Sequence, residues 1–441
     1  MILDYLSRCN QVFTFYLIFP AMIVLGIYLS MRLRFLQLFK LKMGIKQLFK
    51  KDAGGEGNLT HFQAVSSVLA GNFGTGNISG MAIALAAGGP GALVWMWIMA
   101  FFGSIIQYSS CLLAVKYRRK NKSGEYVGGP MYYLSALGFK NLAFVFSILV
   151  LFGALSVGIF AQINSMTLSL GNIGISPILA ALVITAVSGA VILGGVKRVA
   201  IVSSTVIPIM ALLYLLTAVV ILVMHSSQVI PAFGLMFTSA FGKGAVVGGT
   251  LGYTMMKMVT TGLGRALFAT DVGTGYVPIL QASAKSRDPV IDGVVALVAP
   301  FLVMIICTLT ALVLIVTGAY QVEGLQSTNM IVHAFQTGAG KTLGLVTVNV
   351  ALLLFGYTTI LAWGCCFERA IGYLFGDRFR LAFRFLFISL IPVGALLNVN
   401  FVWLFADITL SMMAFCNLVG VFALSAEVIN DSRRFFKKVV S

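Results

Sequence analysis

The chain reads as an all-α integral membrane protein of eleven transmembrane helices, ten of them forming a five-plus-five inverted repeat behind one extra amino-terminal helix. Three observations predict this. Hydrophobic residues make up 59% of the 441 residues and charged residues only 10%, with a mean hydropathy of +0.99, whereas a soluble domain carries about a quarter charged residues. Eleven apolar segments reach the length of roughly 20 residues that a bilayer requires. Two of them, five apart in order, are interrupted by glycine clusters.

The segments cover about 13–31, 62–87, 91–115, 142–168, 175–195, 199–224, 232–263, 291–318, 343–371, 382–398 and 402–426. Basic residues punctuate them in alternation. Of the 30 lysines and arginines, only Arg8, Lys243, Lys257 and Lys341 fall anywhere but after odd-numbered segments. Cytoplasmic loops carry the excess of Lys and Arg, so the amino terminus is expected outside and the carboxyl terminus in the cytoplasm of a plasma (inner) membrane protein. Residues 32–51 interleave basic residues with Leu33, Phe35, Leu36, Leu38 and Phe39, which suits a helix lying on anionic lipid. The expected organisation is an extra helix over 1–31, a basic amphipathic segment over 32–61, repeats over 62–226 and 227–426, and a basic tail over 427–441.

A net charge of +17 also raises nucleic acid as a partner, but the charge is spread over loops rather than gathered on a soluble domain. Membrane lipid is the expected partner. Six cysteines show no CxxC spacing, and His61, His225 and His333 sit at segment edges, so neither a metal cluster nor a cofactor is expected. An enzyme would need a reactive constellation at membrane depth, and a nucleotide-driven pump a P-loop; the sequence carries neither.

The first interruption is Gly71-Asn72-Phe73-Gly74-Thr75-Gly76-Asn77, inside segment two. Non-helical backbone at membrane depth is tolerated only where it lines a cavity or packs inside protein. The second is expected in segment seven, around Gly242, Gly244, Gly248, Gly249 and Gly252. An odd offset makes the two segments run in opposite directions, which defines an inverted repeat with a substrate site at its interface. The plainer explanation is that these glycines serve close helix packing.

The block Gly74-Thr75-Gly76-Asn77-Ile78-Ser79-Gly80 followed by Gly88-Gly89-Pro90-Gly91-Ala92-Leu93-Val94-Trp95-Met96-Trp97 resembles the signature of the alanine or glycine:cation symporters, also called sodium:alanine symporters. Gly124-Glu125-Tyr126-Val127-Gly128-Gly129-Pro130, Gln162-Ile163-Asn164-Ser165 and Phe355-Gly356-Tyr357-Thr358-Thr359 are similar too. The resemblance implies a fold like the leucine transporter's, with one added helix, moving a small amino acid with a cation by alternating access.

Residue chemistry then suggests the site. Amides freed at Gly74, Thr75 and Gly76 suit a carboxylate. Freed carbonyls at Gly248 and Gly249, with Gln162 or Asn164, suit an ammonium. Phe73, Phe241 and Trp363 are expected as walls of a small site, which favours alanine, in D or L form, or glycine. For sodium, a hard cation, carbonyls of Ala70 and Phe73 with the hydroxyls of Thr358 and Thr359 make one oxygen set. Similarity to the leucine-transporter pattern adds a second, from the Asn77 amide and the Asn72 carbonyl. The plain alternative for the threonines is bonding to their own helix.

Three polar positions depart from the family: Ser110 and Leu302 replace acidic residues, and Ala269-Thr270-Asp271-Val272-Gly273 replaces Ser-Asn-Glu-Ala-Gly. Lys257 adds a cation inside segment seven. Proton coupling through Lys257, uncoupled transport and a non-transporting amino-acid sensor are the alternatives that these changes leave open.

Overall fold

The structure, a computed structural model, describes residues 2–50, 55–241 and 249–440. The described residues are almost wholly helical, with one short antiparallel hairpin pairing Arg119–Lys120 with Tyr126–Val127. In chain order the principal helices are α1 Leu3–Arg32, α2 His61–Asn72, α3 Ser79–Gly88, α4 Ala92–Lys116, α5 Lys140–Gly171, α6 Pro177–Ile192, α7 Gly195–Met224 and α8 Ser226–Phe241. They continue with α9 Gly249–Thr270, α10 Tyr276–Gln281, α11 Pro289–Val316, α12 Ser327–Ala339, α13 Lys341–Phe375, α14 Arg380–Leu390, α15 Val399–Ala423 and α16 Ser425–Val440.

Seven of these, α1, α4, α5, α7, α11, α13 and α15, are long and apolar enough to cross a membrane. Segment two falls short because the chain breaks within it, and two others, at α6 and α14, because the helix itself is short; part of segment seven lies outside the described residues. The extra helix packs against α4 and α15, and Gly26 permits the approach, since a Cβ there would stand 2.7 Å from the Cβ of Phe102.

The first break lies where the glycine cluster predicts. Helix α2 starts on a capping box, in which Gln63 N donates to Thr60 Oγ1 at 3.2 Å and Thr60 N to Gln63 Oε1 at 3.1 Å. It ends at Asn72; Gly74 is extended, Thr75–Asn77 form a single 3-10 turn, and α3 resumes at Ser79.

Of segment seven, expected over 232–263, the described residues belong to α8 and α9. Gly248, like the rest of 242–248, lies outside the described residues, and Gly249 opens α9. A described break comes after α9, at residues 271–275, where Asp271 (φ 51), Gly273 (φ 75) and Gly275 (φ 86) all take left-handed backbone. Three such residues within five end a right-handed helix, and Asp is among the few side chains that tolerate that conformation.

The basic segment after α1 is also more enclosed than expected. Its helix Leu41–Leu48 packs on the start of α11, and a Cβ at Gly44 would stand 2.6 Å from the Val294 carbonyl.

Candidate functional site

The two breaks lie against each other. Asn72 donates its side-chain amide to the Thr270 carbonyl at 3.0 Å, so the residue that closes α2 bonds to the residue that closes α9. Both breaks carry the same five-residue pattern, Asn72-Phe73-Gly74-Thr75-Gly76 and Asp271-Val272-Gly273-Thr274-Gly275. Helices α2, α5, α7, α13 and α15 surround the pair.

At the first break, the Thr75 amide donates to Gln162 Oε1 at 2.9 Å, and Gln162 Nε2 donates to the Val157 carbonyl at 2.9 Å. Gln162 follows a π-helical turn, Ala154–Phe160, in α5, an element that frequently marks functional positions. A Cβ on Gly74 would stand 3.0 Å from Thr359 Oγ1 and 3.2 Å from the Gln162 amide. The sequence-expected carboxylate seat is therefore bounded by Gln162 and Thr359, with the Gln162 oxygen holding one of its amides.

Asn164, two residues on, points elsewhere and donates to the Leu397 carbonyl at 3.0 Å. Two residues along a helix turn the side chain by roughly 200°, so Gln162 and Asn164 occupy opposite faces. The threonine pair divides in the same way. Thr359 Oγ1 donates to the Ala70 carbonyl at 2.9 Å and lies 2.9 Å from the Phe355 carbonyl. Thr358 Oγ1 bonds back to the Leu354 and Phe355 carbonyls at 3.0 and 3.1 Å and faces Met210 on α7. Of the first cation set, the structure thus brings Ala70 and Thr359 together. In the second set, Asn77 turns its amide nitrogen, not its oxygen, to the Asn72 carbonyl at 2.6 Å, while its oxygen accepts from Cys307 at 3.5 Å.

The walls are aromatic. Trp363 is fully buried and stacks on Tyr276 with ring centroids 4.2 Å apart, and Phe73 packs on Phe355 at 6.0 Å. Phe268 covers Gly76 so closely that a Cβ there would stand 2.3 Å from its ring. Phe241 is no wall; it is 54% exposed and packs on Trp95.

Above Phe268 sits a pair that the sequence did not connect. Arg265 forms a salt bridge to Asp407 and lies over the rings of Phe268 and Trp403 at 5.5 and 5.1 Å. Expected in a cytoplasmic loop, Arg265 is instead buried within α9. Lys257 lines the same cavity of about 190 Å³ and is exposed. The replaced acidic position Ser110 joins a polar knot: Asn417 donates to Ser110 Oγ at 3.1 Å and to the Gly273 carbonyl at 2.8 Å, and Tyr133 donates to Asn417.

Asp271 is the residue that site assignment from sequence missed. Its side chain is buried in the second break, and neither carboxylate oxygen has a hydrogen-bond partner. Asn72 Oδ1 and the Tyr276 hydroxyl are buried without partners as well. Buried polar groups are normally satisfied. A concentration of unsatisfied oxygens at two facing breaks suits a cation and a small polar solute. The signal was present in the repeated Asx-x-Gly-Thr-Gly pattern.

On the other side of the breaks a charged network encloses α10 and α13. Arg369 contacts Glu125 at 3.3 Å, Arg380 reaches both Glu125 and Glu368, and Arg384 holds Glu368 at 2.8 and 2.9 Å. Arg118 donates to the Ala282 and Ala284 carbonyls just beyond α10 at 3.3 and 2.8 Å. Burial works against the Glu125 charge, but Arg369 and Arg380 hold its carboxyl below the usual carboxylate range.

A family model described as the sodium:alanine symporter family matches residues 1–441. The chain is 40% identical over 427 residues to an uncharacterized transporter of Haemophilus influenzae, covering 95% of this chain and 94% of that one. It is 36% identical over 448 residues to the sodium/alanine symporter AgcS of Methanococcus maripaludis, covering 98% of each. A sodium/proton-dependent alanine carrier protein of Bacillus sp. (strain PS3) is 31% identical over 394 residues, covering 84% of this chain and 86% of that one.

Proposed function

Because the chain belongs to the sodium:alanine symporter family, we propose that it carries alanine or glycine inward across the plasma membrane together with one cation, sodium first. The observation that carries this reading is the pair of facing breaks, the second of which buries the unpartnered carboxylate of Asp271.

Charge supplies the stoichiometry. A zwitterionic amino acid brings no net charge, and Arg265 and Asp407 neutralise each other. At the two breaks Asp271 is left, and an uncompensated buried carboxylate is costly. One cation entering with each amino acid closes the balance.

The substrate carboxylate takes the amides of Thr75 and Gly76, displacing Gln162 Oε1, and carbonyls freed around the second break take the ammonium. Ala70 and Thr359 contribute oxygens to the cation. The α-carbon substituent faces the aromatic walls and is hydrogen or methyl, the latter in either alanine enantiomer. Eleven crossings, with repeats opening at α2 and α9 and the amino terminus outside, are part of this proposal. In alternating access, Arg265–Asp407 with Phe268 closes one side and the Glu125–Arg369–Arg380–Glu368 network the other.

Proton coupling is the second reading, favoured by the same orphaned carboxylate, which a proton neutralises as well as sodium does. The relative named for both ions is in keeping with it.

The test is a binding survey by thermal shift with alanine and glycine, with and without sodium, on wild type and Gly76→Val. Alanine and glycine should stabilise the wild type, more so with sodium, and Gly76→Val should abolish the effect because its side chain enters the space of Phe268. No shift with either amino acid, or an undiminished shift in Gly76→Val, overturns the assignment.

A further inference from the structure

Residues 32–40, at the end of α1, meet residues 432–437 of the carboxyl-terminal helix α16 across a groove of about 990 Å³. Five cations line it, Arg32, Arg34, Lys40, Arg433 and Lys437, and no carboxylate does among the described residues. The acids of α16 are engaged on its other face. Lys116 of α4 contacts both Glu427 and Asp431. What α16 turns to the groove is therefore cationic and aromatic.

Like charges gathered in one groove repel unless something supplies countercharge. Arg433 nonetheless reaches across to the Arg32 carbonyl at 3.3 Å, and Lys40 lies 5.0 Å over the Phe436 ring. The lining is also apolar, with Leu33, Leu36, Phe39 and Phe436, and Phe39 is 75% exposed. Just before the groove, Val24 and Met31 of α1 are 67% and 65% exposed, as side chains that face acyl chains are.

A soluble anion answers the charge but not the apolar lining, and an acyl chain alone does the reverse. We propose that this groove binds one anionic phospholipid. The guanidinium groups of Arg32, Arg34 and Arg433 take the phosphodiester through forked hydrogen bonds, and an acyl chain covers Phe39 and Phe436. The lipid then ties the extra amino-terminal helix to the carboxyl-terminal helix.

The test is native mass spectrometry of the full chain in detergent, titrated with phosphatidylglycerol or with phosphatidylcholine. Phosphatidylglycerol should bind in preference to phosphatidylcholine. Each cation near an anionic lipid surface counts for roughly a fivefold change in binding, so Arg34→Ala/Lys437→Ala should weaken phosphatidylglycerol binding roughly 25-fold, and Lys122→Ala, outside the groove, should not. Arg34→Glu serves as an independent variant, with the larger loss per site expected. Equal binding of the two lipids, undiminished binding in both groove variants, or displacement by an equal concentration of free glycerol 3-phosphate overturns the proposal.

Discussion

Asn72 donates to the main-chain carbonyl of Thr270 at 3.0 Å, joining the ends of two helices that lie 198 residues apart in sequence. This bond puts two breaks of the same pattern side by side. The backbone interruptions at the ends of α2 and α9 are thus held next to each other.

Asp271→Asn keeps the size of the side chain and removes the charge. The variant is expected to fold and to bind alanine, while the enhancement of alanine binding by sodium falls at least about tenfold, or about 1.4 kcal/mol. Alanine titrations at several sodium concentrations check this. An unchanged sodium dependence removes Asp271 from the coupling mechanism.

Gln162→Glu places a negative charge where the Thr75 amide now finds a neutral oxygen at 2.9 Å. The glutamate competes with the substrate carboxylate for that amide. Alanine affinity should fall by more than about tenfold, in line with the about 1.5–3 kcal/mol of a hydrogen bond to a charged group. Calorimetry at neutral pH measures it, and unaltered affinity would remove the Thr75 amide from the carboxylate site.

Asp407→Asn leaves Arg265 uncompensated over the Trp403 ring. Breaking a fully buried pair costs about 3–5 kcal/mol, and the cost here should be smaller because the Asp407 side chain is 27% exposed. Thermal denaturation should show the double variant losing less stability than the sum of the losses of the single variants, Asp407→Asn and Arg265→Gln. Simple additivity contradicts a coupled pair.

Glu125 sets an acid limit on the opposite network. Its folded-state pKa is lowered, so its contribution to stability is present at neutral pH, above the ordinary value of about 4.3. That contribution is lost as pH falls from there through the lowered folded value. Glu125→Gln should lose stability at pH 7 and show a smaller stability change between neutral pH and pH 4 than wild type. Parallel pH profiles for the two proteins would contradict this.

The first break was legible because glycines and asparagines inside an apolar span have few uses other than a site. The interruption expected at Gly242, Gly244, Gly248, Gly249 and Gly252 lies largely outside the described residues, and glycine density drew attention there rather than to the sparser Asp271-Val272-Gly273-Thr274-Gly275, which repeats the pattern of the first. Arg265–Asp407 was out of reach, since a partner 142 residues away depends on how α9 and α15 pack. Choosing Gln162 over Asn164, or Thr359 over Thr358, requires the rotation of each helix about its axis, which apolar spans buried on many sides do not reveal through periodicity.

The most direct test is uptake of radiolabelled alanine into proteoliposomes containing the wild-type chain, with an inward sodium gradient, an inward proton gradient, or neither. Accumulation above the external concentration under a cation gradient, and none without one, is the predicted result. Alanine that merely equilibrates at the same rate in all three conditions would contradict coupled transport.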